Sequence, residues 1–145
     1  MHRPLRLMSL AAVVALGAAL VTPLAADASG RPFTTMLRGA NEVGGGDPDG
    51  SGTAHVWVNP GTNAVCYEIT VMNVDGAVAA HIHHAPVGVN GPVVVPFAPP
   101  TAGSSSGCVD VPRELARDIV MHPADYYVNV HTAVVPAGAV RGQLA

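Results

Sequence analysis

From Phe33 onward the chain alternates apolar and polar residues with a period of two, and turn-forming residues break the pattern at fairly regular intervals. Successive side chains of a strand point to opposite faces, so such a segment buries one face and wets the other. Strands are expected near residues 33–38, 52–59, 64–72, 77–83, 93–97, 108–109, 126–132 and 140–144. Seven or eight short strands of this kind define an all-β fold, an antiparallel Greek-key-like β-sandwich or barrel. Phe, Tyr and Trp are scarce while Val, Ala, Gly and Pro are plentiful, which suits short strands with small-residue packing and many turns. Asn59-Pro60-Gly61-Thr62-Asn63 reads as a tight hairpin connection, with Asn and Gly supplying positive φ and Pro fixing the entry. Residues 44–50 read as a flexible, solvated loop, because the spacing of Asp47 and Asp49 does not match an EF-hand calcium loop.

One segment breaks the alternation. Residues 112–121 place Pro112 at a first helical position and Leu115 four residues before Ile119, which predicts one short amphipathic helix before the penultimate strand. Pro123 ends it. The helix is expected to cover an open end of the sandwich, with Arg113, Arg117 and Asp118 in water.

The N-terminus carries His2, Arg3 and Arg6, then an uncharged apolar stretch over residues 7 to about 21, then Pro23 and small residues. This is the pattern of a secretory signal peptide, and Ala26-Asp27-Ala28 fits cleavage after Ala28. The apolar run is shorter than the ~20 residues that span a bilayer. No cysteine follows it to accept a lipid, so the expected product is a secreted domain of residues 29–145 without a membrane span or anchor. That stretch has no lysine, five arginines and nine acidic residues, so no basic patch points to nucleic acid.

Cys66 and Cys108 both lie beyond the cleavage point, in an oxidising compartment, and read as one disulfide. The apolar set Val65, Tyr67, Ile69 and Val71 puts Cys66 on the opposite face with Glu68 and Thr70. A staple there closes a long loop and contributes roughly 3 to 4 kcal/mol by restricting the unfolded chain.

Residues 80–92 read AHIHHAPVGVNGP and residues 127–132 read YVNVHT. Alternation sets His81 and His83 on one face of a strand, and Asn129 and His131 on one face of another. Two readings stand for these histidines. Their ring nitrogens can bond to backbone or to Asn129 and pin the strands, or three imidazoles can converge on one copper or zinc ion. Convergence requires nitrogens within roughly 3 to 4 Å of one another. His84 is expected to face the core side or the turn, His55 to share an exposed face with Thr53 and Trp57, and His122 to end the helix. None of these three is assigned chemistry. Gly88 and Asn90 are expected to take left-handed conformations in the turn before residues 93–95. Ser104-Ser105-Ser106 reads as a solvated linker. No G-x-S-x-G, H-E-x-x-H or phosphate-cradling glycine motif is present.

Together with Gly50-Ser51-Gly52-Thr53-Ala54 and the closing Gly138-Ala139-Val140-Arg141-Gly142-Gln143-Leu144, these segments resemble the CHRD (chordin-type) domain over nearly all of the exported chain, with a core of about residues 33–144. In many members the last motif is G-E-I-R-G-Q-L, so Ala139 stands here in place of the acidic residue while Arg141 is kept. The resemblance marks Gly88, Asn90, Gly91, Pro92, Asn129, Arg141 and Gly142 as structural motif residues and implies a β-sandwich in an extracellular setting, with no family activity to carry over. The His-x-His strand is also similar to the copper ligands of copper/zinc superoxide dismutases, yet about nine residues separate His83 from Val93, too few for a zinc loop. The expectation is a non-enzymatic extracellular binding or structural module for an unknown ligand or protein. The alternative is a copper- or zinc-binding protein using His81, His83 and His131.

Overall fold

The computed structural model describes residues 29–144. The signal-peptide reading of residues 1–28 lies outside the described residues. Eight strands are formed: β1 (Arg31–Arg38), β2 (Ser51–Asn59), β3 (Ala64–Met72), β4 (Ala77–His84), β5 (Val93–Phe97), β6 (Ser104–Asp110), β7 (Tyr126–Thr132) and β8 (Val140–Gln143). Helix α1 (Arg113–Met121) precedes β7. All pairings are antiparallel, in one sheet ordered β5-β4-β7-β8-β1-β2-β3-β6.

The sheet curls until its two edge strands, β5 and β6, lie side by side, giving a nearly closed barrel. Beside that seam Tyr67 of β3 reaches past Gly107 of β6: its ring stacks on Phe97 at 4.0 Å and its hydroxyl accepts a hydrogen bond from the Ala98 N–H at 2.9 Å. The β3-to-β4 and β6-to-β7 connections join strands that are not neighbours, the crossing pattern of a Greek key.

The alternation seen in the sequence becomes the inside and outside of the barrel. On β2, Gly52, Ala54, Val56 and Val58 are buried, while Thr53, His55 and Trp57 face outward. Val56, Ile69, Ile82, Val95, Val128 and Val140 are fully buried in one core. Each such side chain stabilises the fold by about 1.5 to 3 kcal/mol through apolar area removed from water. Helix α1 adds Ala116 and Ile119 to that core. Its exit is tied to β1 by the Arg31 guanidinium, which donates to the Val120 carbonyl at 3.2 Å. Pro112 stands at the N-cap and not, as expected, at the first helical position, because its extended ψ of 139° lies outside the helix, which starts at Arg113.

Cys66 and Cys108 lie directly opposite each other in the β3–β6 ladder and form a disulfide. Cys66 is buried and Cys108 is exposed, so the bond ties an edge strand to the sheet rather than crossing the core.

Four local expectations are corrected. Ser104-Ser105-Ser106 belongs to β6, paired with Thr70, Ile69 and Glu68. A polar edge strand offers no apolar alternation to read. The loop at 44–50 is not a free solvated turn: its Gly46 N–H donates to the Gly39 carbonyl at 3.0 Å and its Asp47 N–H to the Ala139 carbonyl at 2.8 Å, which lays it against β8. In the β2–β3 turn Asn63 has φ of 57° but Gly61 does not take positive φ, because the Asn59 carboxamide oxygen accepts the N–H groups of Gly61 and Thr62 and shapes the turn itself. Gly88 has φ of 76° as expected, whereas Asn90 is not left-handed and instead offers its side-chain oxygen to Arg141. Among the described residues, no helix is long and apolar enough to cross a membrane.

Candidate metal centre

Three neighbouring strands carry a polar row on the outside of the barrel. In register, His81 of β4 faces Asn129 of β7, which faces Arg141 of β8; one step along, His83 faces Tyr127, which faces Gln143. Ala79 is the partner of His131, and its small side chain leaves His131 room to lean toward the β4 histidines. Outward-pointing residues would ordinarily be wet. Here His83, Asn129, Tyr127 and Arg141 are buried, because loops lie over this part of the sheet.

The structure brings His81, His83 and His131 together, with one ligand nitrogen of each within 4.8 Å of the others. Ring centroids are 5.1 Å apart for His81 and His131, 5.4 Å for His81 and His83, and 5.9 Å for His83 and His131. Tetrahedral ligands at about 2.0 to 2.1 Å from a metal lie about 3.4 Å apart, so the set needs a contraction of order an ångström. Among the described residues, no other set of three histidine, cysteine or carboxylate side chains converges in this way.

Backbone carbonyls select which nitrogen each ring presents. His83 Nδ1 donates to the Gly91 carbonyl at 2.8 Å, and His131 Nδ1 donates to the Pro136 carbonyl at 3.0 Å. Each neutral ring then keeps its lone pair on Nε2, and both Nε2 atoms are buried without a hydrogen-bond partner. For His81 the buried, unpartnered nitrogen is Nδ1. Buried polar atoms are ordinarily satisfied, and three orphaned nitrogens from two strands share one place. The strand-pinning reading accounts for the Nδ1 bonds of His83 and His131 and leaves these three atoms unexplained.

Burial disfavours the charged form of two of the three rings. His81 is pushed down to about 4, first by burial and then by the nearby His131 and His83. His83 is also lowered, chiefly by burial, against the opposing bond to Gly91. Neutral imidazole is the form that ligates metal.

Behind the histidines, Tyr127, Gln143 and Glu42, three residues that sequence reasoning left without a role, surround Arg141. Its guanidinium is almost wholly buried and donates through Nη1 to the Val89 carbonyl at 2.9 Å and through Nη2 to the Pro86 carbonyl at 3.0 Å. Gln143 donates to the Ala85 carbonyl at 2.8 Å. Together they strap the 85–92 loop down over His83. The Arg141 Cζ lies 3.3 Å over the Tyr127 ring, and the Tyr127 ring stacks on His83 at 4.8 Å and 8°. Glu42, from the docked loop after β1, is buried with Oε1 unpartnered. Burial pushes its carboxyl up to about 7, against the lowering influence of Arg141 and Asn129. Glu42 packs where any side chain at Gly138 would stand. A lone Glu beside three glycines carries no signal of this in the sequence.

The other histidines lie elsewhere. His84 is exposed at the end of the core-facing row of β4 and stacks on Tyr126. His55 lies against Trp57, and His122 follows α1 and donates from Nδ1 to Asp118 at 2.9 Å. Ala139, at the acidic position of the family pattern, is fully buried in the core.

An eight-stranded Greek-key barrel with a histidine cluster under loops on its outer face defines an all-β module. The chain belongs to the CHRD domain family, whose model matches residues 33–144. Neither the search of curated proteins nor that of solved structures finds a match.

Proposed function

We propose that this protein is an exported CHRD module that binds a single copper or zinc ion through His81 Nδ1, His83 Nε2 and His131 Nε2, and that it acts in metal capture rather than as an enzyme. Export rests on the leader-like residues 1–28, with residues 29–145 as the working domain. One observation carries the metal reading: three buried imidazole nitrogens without partners, from two adjacent strands, within 4.8 Å of one another. Imidazole suits both copper and zinc. The carbonyls of Gly91 and Pro136 supply the support that fixes ring orientation in metal sites. Superoxide chemistry is not part of the proposal, since only the short 85–92 loop follows the His-x-His strand and offers no second-metal ligands.

The test is a titration of the exported protein, made without a histidine tag, with Cu(I) under anaerobic conditions, Cu(II) and Zn(II). His83→Ala and His131→Ala should each weaken binding by more than the roughly 10- to 100-fold that losing a supporting hydrogen bond costs. Wild type that binds no tighter than the double variant at micromolar metal ends the proposal.

A further inference from the structure

Around the histidines the charge is unbalanced. Imidazole ligates metal as the neutral ring, and no thiolate or carboxylate belongs to the converging set. The buried charge adjoining it is the cation of Arg141. Strand order fixes how that cation reaches the site: β7 lies between β4 and β8, so Tyr127 is sandwiched between His83 and Arg141. The guanidinium cannot swing away, because Val89, Pro86, Asn90 and Gln143 all accept its hydrogen bonds. It stands one aromatic ring away from His83, in a region shielded from water, where Coulomb interactions exceed their strength in bulk solvent.

We infer that Arg141 is a positioning residue that makes the histidine site select monovalent copper over divalent copper and zinc. This rests on the three-histidine reading above. Imidazole alone does not distinguish these ions, so charge and coordination number decide. Three neutral ligands leave Cu(I) with one net charge and a divalent ion with two. The fixed guanidinium repels the second charge. At an effective dielectric of about 20, one unit charge at about 10 Å shifts the ratio of affinities by about tenfold. Zn(II) also calls for a fourth ligand to complete a tetrahedron, whereas three-coordinate Cu(I) is complete with the imidazoles present. The counterweight is Glu42, the buried acid beside Arg141 and Asn129, which offsets the guanidinium when it is ionised.

Competition titrations at pH 8 with a coloured Cu(I) chelator, and separately with Cu(II) and Zn(II), give the affinity ratios for wild type, Arg141→Gln and Glu42→Gln. Arg141→Gln should lower the preference for Cu(I) over both divalent ions by about tenfold, and Glu42→Gln should raise it. A residue that only supported the fold would weaken all three ions together and leave the ratios unchanged. Unchanged ratios in a folded Arg141→Gln protein overturn the inference while leaving the metal site standing. Wild type that binds none of the three ions overturns both. Should Arg141→Gln fail to fold, the Glu42→Gln ratio decides alone, and a fall or no change rejects the role of charge.

Discussion

The Gly91 carbonyl accepts a hydrogen bond from His83 Nδ1 at 2.8 Å, and so a loop residue eight positions away decides which nitrogen the strand histidine offers. A Cβ at Gly91 would lie only 2.0 Å from the His84 carbonyl oxygen, so no side chain fits there without moving the backbone. Gly91→Ala is therefore expected to push the loop outward and release His83 Nδ1. The variant should lose roughly 10- to 100-fold in metal affinity, as other losses of ligand support do. Isothermal titration with Zn(II) and Cu(II) checks it, and unchanged affinity would show that the carbonyl does not set the donor atom.

Acid should destabilise the protein through its histidines. His81 has a folded value of about 4 against an ordinary 6.5, so the unfolded chain binds more protons below pH 6.5. Its contribution to stability is full above 6.5 and is lost as pH falls toward 4. The lowered His83 acts in the same direction. Urea melts of the metal-free protein between pH 7 and 4 measure this, and His81→Gln should flatten the dependence. An NMR titration with the His81 ring protonating near 6.5 would contradict it.

Glu42 has the opposite sign. Its folded value of about 7 exceeds the ordinary 4.5, so its neutral form is favoured in the fold and stability falls as pH rises from 4.5 through 7. The groups facing it are Arg141 and Asn129. Glu42→Gln should remove that loss and leave the opposing histidine slope uncovered, so metal-free stability at pH 8 relative to pH 5 should be higher in the variant than in wild type. An equal pH dependence in wild type and variant would place the carboxyl in water.

Removing the disulfide should weaken the fold while sparing the site. The bond joins residues 42 apart in sequence and ties edge strand β6 to β3. Cys66→Ser with Cys108→Ser should cost about 2 to 4 kcal/mol. The histidines lie on β4 and β7, on the other side of the sheet order, so metal affinity of the folded double variant should match wild type.

Much of this molecule is legible in the chain because barrels write themselves as alternation. Ile82 between His81 and His83, and Val130 between Asn129 and His131, announce an inside and an outside before any pairing is known. The spacing that marks the outward histidines is local, and so the candidate ligands can be named from sequence. Arg141 is different. Its bond to the Val89 carbonyl spans 52 residues, and its stacking on Tyr127 depends on which strand lies between β4 and β8. Neither has a local signature, although the AHIHHAPVGVNGP and RGQL segments turn out to be the two halves of one strap. The serines of β6 escape for another reason: with little to bury on an edge, they carry no periodicity.

The open seam between β5 and β6 divides the labour of the barrel. There no ladder joins the edges, and Tyr67 of β3 reaches past Gly107 of β6 to stack on Phe97 and accept from the Ala98 N–H. Both edge strands are laddered on one flank only, and β6 is anchored on that flank by the disulfide. The histidine strand β4 and its partner β7 are each paired on both flanks, with local register shifts in β4. The barrel can thus breathe at its hem without changing the bite of its three imidazoles.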